Sequence, residues 1–247
     1  MFASITSHLL DLKKRLRLAV GVYLLGVMVL MNFSAPVFDF IAAPLRAALP
    51  PGAPMVFLNA PDVFFTYLKV ALLMSLFVTS PITFYQVWAF VAPGLYTNER
   101  KVFLSYFFAS LVLLITGAVF AYLVVLPLIF QFFMGFATAD IQAFPAVKEY
   151  LSLALKLMFA FAASFQIPVA LMLLSRAELM NPDSLIKKRR YVYVWMLVAA
   201  ALLTPPDIVS QLLLGVPMAF LFELGLYLAR IGKRKAEARK KEAELQE

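Results

Sequence analysis

Long apolar runs separated by short polar joints dominate the chain from Leu18 onward. Runs long enough to consider as membrane spans fall near 18–38, 64–92, 103–130, 151–176, 191–204 and 209–228, judged against the roughly 20 apolar residues that a spanning helix needs. The second and third are overlong, so they should tilt or project beyond the hydrocarbon. The fifth and sixth are short. Tyr191 to Thr204 gives only about 20 Å of helix at 1.5 Å per residue, against about 30 Å of hydrocarbon. That hairpin is either re-entrant or surrounded by a thinned bilayer, and thinning is the preferred reading. The pattern predicts an all-α polytopic membrane protein with six transmembrane helices.

Proline bends this picture. The chain has 15 prolines, and Pro81, Pro127, Pro168 and Pro217 fall inside expected spans. Kinks in four of six helices favour a cupped, concave wall over a tight bundle. Five more prolines sit in 39–63, which should form short helices capping one face; 131–150 is also amphipathic. Pro205 and Pro206 stop the fifth helix, and Asp207 with Ser210 is placed to cap the sixth. Three regions result: an amphipathic N-terminal segment (1–17), a six-span membrane domain (18–228) and a charged tail (229–247).

Charge orients the spans. Lys13, Lys14, Arg15 and Arg17, then Arg100 and Lys101, then Lys187 to Arg190, then seven bases of the tail share one side, while the opposite loops hold only Arg46 and Lys148. The positive-inside rule places both termini in the cytoplasm. Lys69, Lys156 and Arg176 lie near helix ends, where long side chains can snorkel. The N-terminus lacks a small-residue cleavage site and reads as an interfacial helix leading into a retained anchor. The tail suits a solvated helix or, less readily, a partner-binding one.

Composition narrows the class. At 63% hydrophobic residues and a mean hydropathy of +0.87, the chain is too apolar for a soluble domain. The net charge of +8 then reads as inside-facing loops against anionic lipid, with no nucleic-acid partner. No cysteine is present, and the single histidine, His8, precedes the first span. A metal site, a cofactor and an intramembrane enzyme are not expected. A secondary transporter or channel would need several charges at membrane depth and, in many folds, an internal repeat; no repeat is evident.

Several polar residues remain to be explained. Glu99 stands among bases in "AFVAPGLYTNERK" (89–101). It is either a local salt-bridge partner of Arg100 or Lys101, or a carboxylate that receives a cationic ligand, the natural bidentate partner of guanidinium. Asp11 is the second acid on this basic side, and Glu178 and Asp183 are the others before the tail. Gln166 lies about 15 Å from the inner end of the fourth span; it makes an interhelical hydrogen bond or lines a surface for a ligand or partner. Glu223, within an apolar run, should be near the boundary, paired or protonated.

With these residues in place the chain resembles the TatC family, the multispanning receptors of twin-arginine protein translocation. The likeness rests on "SHLLDLKKRL" (7–16), "SAPVFDFIAAPL", "FFTYLK" (64–69), "YQVWAFVAPGLYTNER" (85–100), "GAVFAYLVVLPL" (117–128), "FQIPVA" (165–170), "KKRRYV" (187–192), "LLTPPDIVSQ" (202–211) and "PMAFLFELG" (217–225). It implies six cupped spans with cytoplasmic ends in a bacterial-type inner membrane, and a non-enzymatic receptor and scaffold. That scaffold would export folded proteins at the expense of the proton-motive force. It implies that Glu99 binds the paired arginines of signal peptides, that Asp11 supports it, and that Phe90, Tyr96 and Arg100 shape the site. It implies TatA- and TatB-like single-span partners and self-association, and marks Pro44, Tyr122, Pro205, Pro206, Asp207 and Glu223 as structural or partner-contact positions. Two departures stand out. Asp11 and Lys13 replace the family's usual Glu and Arg, and Gln166 replaces a usual Glu, removing the titratable charge from the fourth span.

Overall fold

The computed structural model describes residues 2–49, 55–91, 100–136, 145–177 and 179–244. Among these the chain is almost wholly helical. Helix α1 (Phe2–Met31) joins the N-terminal segment and the first span in one continuous helix. It ends earlier than the expected 18–38 span: the axis turns by 83° between Lys13–Met31 and α2 (Ser34–Ala48). The corner is built from side chains that satisfy the carbonyls a helix end leaves open. Asn32 donates to the Met28 and Val29 carbonyls, both at 3.3 Å, and Ser34 Oγ donates to Met31 O at 2.7 Å. Ser34, Phe38, Ile41, Ala42 and Leu45 recur at helical spacing, and this face of α2 is buried.

Helix α3 (Pro61–Val91) stays continuous through Pro81. Proline removes the donor for the carbonyl four residues back, and here Ser80 Oγ donates to that carbonyl, Phe77 O, at 2.7 Å. Helix α4 (Arg100–Phe120) passes through a π-helical turn (Ala121–Val125) into α5 (Leu126–Met134). The widened turn falls just before Pro127, where the ring would otherwise crowd the preceding turn. A sharper interruption at Phe165–Gln166 separates α6 (Val147–Ser164) from α7 (Ile167–Arg176), with Pro168 in the first turn of the new helix. A short α8 (Pro182–Lys187) is capped by Asn181, which accepts from Asp183 N–H at 3.1 Å.

Helix α9 (Arg189–Leu203) has 15 residues, about 22 Å of rise, and buries only Met196 and Ala200. Thr204 beyond it is extended (φ −99°, ψ 161°), the conformation that a following proline imposes. Helix α10 (Ile208–Glu244) runs unbroken into the charged tail. Its apolar stretch, Ile208–Arg234, is 27 residues long. The sixth helix is therefore not short, because its basic residues continue the helix rather than ending it. Shortness belongs to α9 alone.

Four stretches among the described residues are long and apolar enough to cross a membrane: Pro61–Val87, Leu104–Met134, Val147–Arg176 and Ile208–Arg234; the bent α1–α2 pair adds a fifth. The core centres on α6, whose buried face includes Leu151, Ala154, Leu157 and Phe161. Apolar helices in lipid associate by close packing rather than by escape from water. Gly117 shows how close: a Cβ there would stand 2.7 Å from the Phe161 carbonyl oxygen. Phe120 then lies against Phe161 with ring centroids 5.3 Å apart.

At the end where α3 and α6 begin, Lys148 meets the buried Asp62 at 2.9 Å. Val147 N–H donates to Val56 O at 3.0 Å across the same junction. Arg46 pairs with Asp39 on α2. Arg46 and Lys148 are thus both neutralised within the chain. The Asp39–Arg46 spacing of two helical turns carried that signal; nothing in the sequence pointed to Asp62–Lys148.

Candidate functional site

Helices α1 and α3 run antiparallel and are joined along a polar seam. Tyr23 donates its hydroxyl to Leu72 O at 3.1 Å, and Ser75 Oγ donates to Tyr23 O at 2.8 Å. Gly26 lets the two helices approach at this seam, since a Cβ would reach Ser75 Oγ at 2.4 Å. Toward the N-terminal end of α1 the pair opens into a cavity of about 590 Å³, walled by Lys14, Arg15, Arg17, Leu18, Leu25 and Gln86. Asp11 lies on α1 one turn before Arg15, and Phe90 on α3 one turn after Gln86. Arg100 is the first residue of α4. The two helices thereby bring the backbone positions of Asp11 and Phe90 to the same end of the seam. Tyr96 and Glu99 lie outside the described residues.

The described wall of this cavity is basic toward the N-terminal end of α1, at Lys14, Arg15 and Arg17, and apolar farther along the same helix, at Leu18 and Leu25. Such a wall repels a cationic peptide unless carboxylates are added. Two other acids, Asp183 on α8 and Glu223 on α10, are already committed. Asp183 accepts from Arg230 Nε at 2.9 Å and faces Lys233 at 3.6 Å. The Arg230 hydrogen bond, reinforced by the charges of Arg230 and Lys233, holds the Asp183 carboxyl below its ordinary range against the opposing effect of desolvation. Glu223 accepts from the Tyr193 hydroxyl and faces Arg189 Nε at 3.6 Å. Of the three expectations for Glu223, pairing is the one observed.

Gln166 occupies the α6–α7 break. Its Nε2 donates to the Ser110 carbonyl on α4 at 3.1 Å, an interhelical hydrogen bond. Pro44 and Tyr122, distant in sequence, come together around one carbonyl. Pro44 lies inside α2, and the Tyr122 hydroxyl donates at 2.8 Å to Phe40 O, four residues before it. The Phe40 and Tyr122 rings stack at 4.6 Å. Asp207 Oδ1 accepts from Ser210 N–H at 2.7 Å, capping α10. The Ser210 hydroxyl is buried without a hydrogen-bond partner among the described residues, so its contribution to the cap is its backbone alone. Pro205 and Pro206 follow the end of α9. Arg176 lies over the Tyr106 ring at 5.7 Å, and Lys69 Nζ donates to Ser152 Oγ at 2.7 Å; the sequence pointed to neither contact.

Comparison with known proteins identifies the family of the chain. Residues 7–217 match the family model described as Sec-independent protein translocase protein (TatC). The protein of that name from Magnetococcus marinus is 40% identical over 236 residues, covering 95% of this chain and 87% of its own. The Escherichia coli K12 protein is 39% identical over 229 residues, 92% of this chain and 89% of its own. A crystal structure of the twin-arginine translocase receptor TatC superposes with a TM-score of 0.83 at 32% identity, covering 91% of this chain and 99% of that one. The chain belongs to the TatC family of Sec-independent protein translocases, a family of multispanning, non-enzymatic transport proteins.

Proposed function

We propose that this chain is a twin-arginine signal-peptide receptor and the core scaffold of a translocase that exports folded proteins. The observation that carries the reading is the motif "AFVAPGLYTNER" (89–100) at the α3–α4 connection, in a chain so similar over nearly all its length to a solved twin-arginine translocase receptor. The peptide's guanidinium pair binds at the end of the α1–α3 seam. Glu99 is the principal acceptor and Asp11 the supporting one, with Phe90, Tyr96 and Arg100 shaping the site. Because Asp183 and Glu223 already hold cations of their own chain, they are not spare acceptors. Lys14, Arg15 and Arg17 keep this end of the molecule on the cytoplasmic side and exclude cationic peptides that cannot reach a carboxylate.

The topology that goes with this reading has six spans, α9 included, with both termini cytoplasmic in a bacterial-type inner membrane. TatA- and TatB-like single-span subunits, further copies of this chain and membrane lipid are its partners, and the proton-motive force drives the export step. Gln166 holds α4 to the α6–α7 break and takes no part in peptide binding. Export of a folded reporter in cells lacking their own TatC tests the proposal. Expression of this chain with compatible single-span subunits should restore export of a reporter carrying paired arginines, and not of its twin-lysine counterpart. Equal export of both reporters would contradict it.

A further inference from the structure

Two lysines stand where neither the membrane nor the receptor reading requires them. Lys69 of α3 and Lys156 of α6 share a cavity of about 350 Å³ between these helices, with Ser152 beside them. Lys69 Nζ donates to Ser152 Oγ. Lys156 is exposed and makes no hydrogen bond or ion pair among the described residues, and neither lysine has a carboxylate partner there. A second cavity, of about 400 Å³, shares Ser152 and Lys156 and opens toward Pro145, Thr204 and Pro205. Glu149 is the acid on its wall, two helical turns before Lys156 and about 10 Å away along the axis.

Depth makes the pair informative. Helices α3 and α6 start at the same end, tied by Asp62 and Lys148, and run parallel. Lys69 is about 12 Å from the start of α3 and Lys156 about 13 Å from the start of α6. A helix of 31 residues such as α3 is about 46 Å long, so centred on about 30 Å of hydrocarbon it overhangs by about 8 Å at each end. Along the helix axes both residues then sit about 4–6 Å beneath the hydrocarbon boundary, with their ammonium groups within snorkelling reach of the headgroup phosphates. Deeper along the same two helices the wall turns apolar, through Leu72 and Leu76 on α3 and Phe159 on α6. The cavity is therefore polar toward the boundary and apolar toward the membrane interior.

We propose that this slot seats one anionic phospholipid. Its phosphate bridges Lys69 and Lys156, and an acyl chain lies along Leu72, Leu76 and Phe159. The apolar floor distinguishes a lipid from a free phosphate, which would leave it uncovered. A transmembrane helix lying over the groove would cover its apolar wall but bring no phosphate to the two ammonium groups. The two ammonium groups select a net negative headgroup, since a zwitterionic one brings its own cation against them.

Native mass spectrometry of the full chain in detergent, supplied with equal phosphatidylglycerol and phosphatidylcholine, tests the site. At least tenfold preference for phosphatidylglycerol is expected, falling to near parity in the Lys69→Gln/Lys156→Gln double variant and persisting in Lys156→Arg. Millimolar inorganic phosphate should not displace the lipid. Should the double variant fail to fold, Lys156→Gln alone, altering an exposed side chain, is expected to lower the preference at least threefold. Equal binding of the two lipids by the unmodified chain, a preference that survives loss of the lysines, or full displacement by inorganic phosphate would overturn the proposal.

Discussion

The Tyr122 hydroxyl donates across 2.8 Å to the Phe40 carbonyl, the acceptor that Pro44 leaves without a helical donor. The contact therefore repairs a defect that the chain itself creates, and it ties the π-helical turn to α2. Tyr122→Phe should destabilise the protein by about 1–3 kcal/mol, the cost of an unsatisfied polar group. In a Pro44→Ala background the Phe40 carbonyl regains a backbone donor, and the same substitution should cost less. Unfolding by SDS titration of the four members of this cycle reads the coupling; equal costs in both backgrounds would mean that the hydroxyl does not serve this carbonyl.

Gln166 donates to Ser110 O, a role that an ionised carboxylate cannot fill. Gln166→Glu should weaken the α4–α7 junction by about 1 kcal/mol. It should alter association with single-span subunits while leaving twin-arginine peptide affinity nearly unchanged. Peptide titration and co-purification of the subunits measure the two effects separately. A large fall in peptide affinity would place Gln166 in the binding site after all.

At Gly117 two tendencies compete. Alanine normally favours a helix by about 1 kcal/mol over glycine. Here the added Cβ would face Phe161 O at 2.7 Å and Ala162 Cα at 3.0 Å, backbone atoms that cannot rotate away. Overpacking should win, destabilising Gly117→Ala by about 1–3 kcal/mol. Gly21→Ala, with no atom within 4 Å of the new Cβ, should be neutral or stabilising in the same assay.

Asp183 carries a pH dependence. Its carboxyl is held below the ordinary range chiefly by the Arg230 hydrogen bond. A depressed folded-state value means that the stabilising contact is fully present above the ordinary carboxylate value and is lost as pH falls through the depressed one. The melting temperature of the unmodified chain should exceed that of Asp183→Asn at pH 7, with the gap closing as pH drops below the ordinary carboxylate range. A gap that does not change with pH would contradict this assignment.

The apolar pattern located the helices well because length and hydropathy are properties of consecutive residues. Pro205 likewise foretold the end of α9; Pro168, expected only to kink the fourth span, stands beside an outright break at Gln166, whereas Pro81 and Pro217 lie inside continuous helices. What the pattern missed depends on contacts across the chain. The first span stops at Met31 rather than residue 38 because Asn32 and Ser34 close the carbonyls of α1, and polar side chains in an apolar stretch do not announce that role. The pairing of Asp62 with Lys148 and the sharing of one cavity by Lys69 and Lys156 are products of the α3–α6 packing. The α1–α3 seam, by contrast, places Asp11 and Phe90 at one end of the fold although 79 positions separate them, which sequence spacing alone gave no means to see.

The recognition of paired arginines by Glu99 is tested most directly by peptide binding. The purified chain in nanodiscs would be titrated with a twin-arginine signal peptide and its twin-lysine control, alongside Glu99→Ala and Asp11→Ala. Removing one partner of a hydrogen-bonded charge pair typically costs at least about 2 kcal/mol, or roughly thirtyfold in affinity. The account predicts a preference for arginine that Glu99→Ala abolishes and Asp11→Ala only weakens. Undiminished affinity in Glu99→Ala would contradict it.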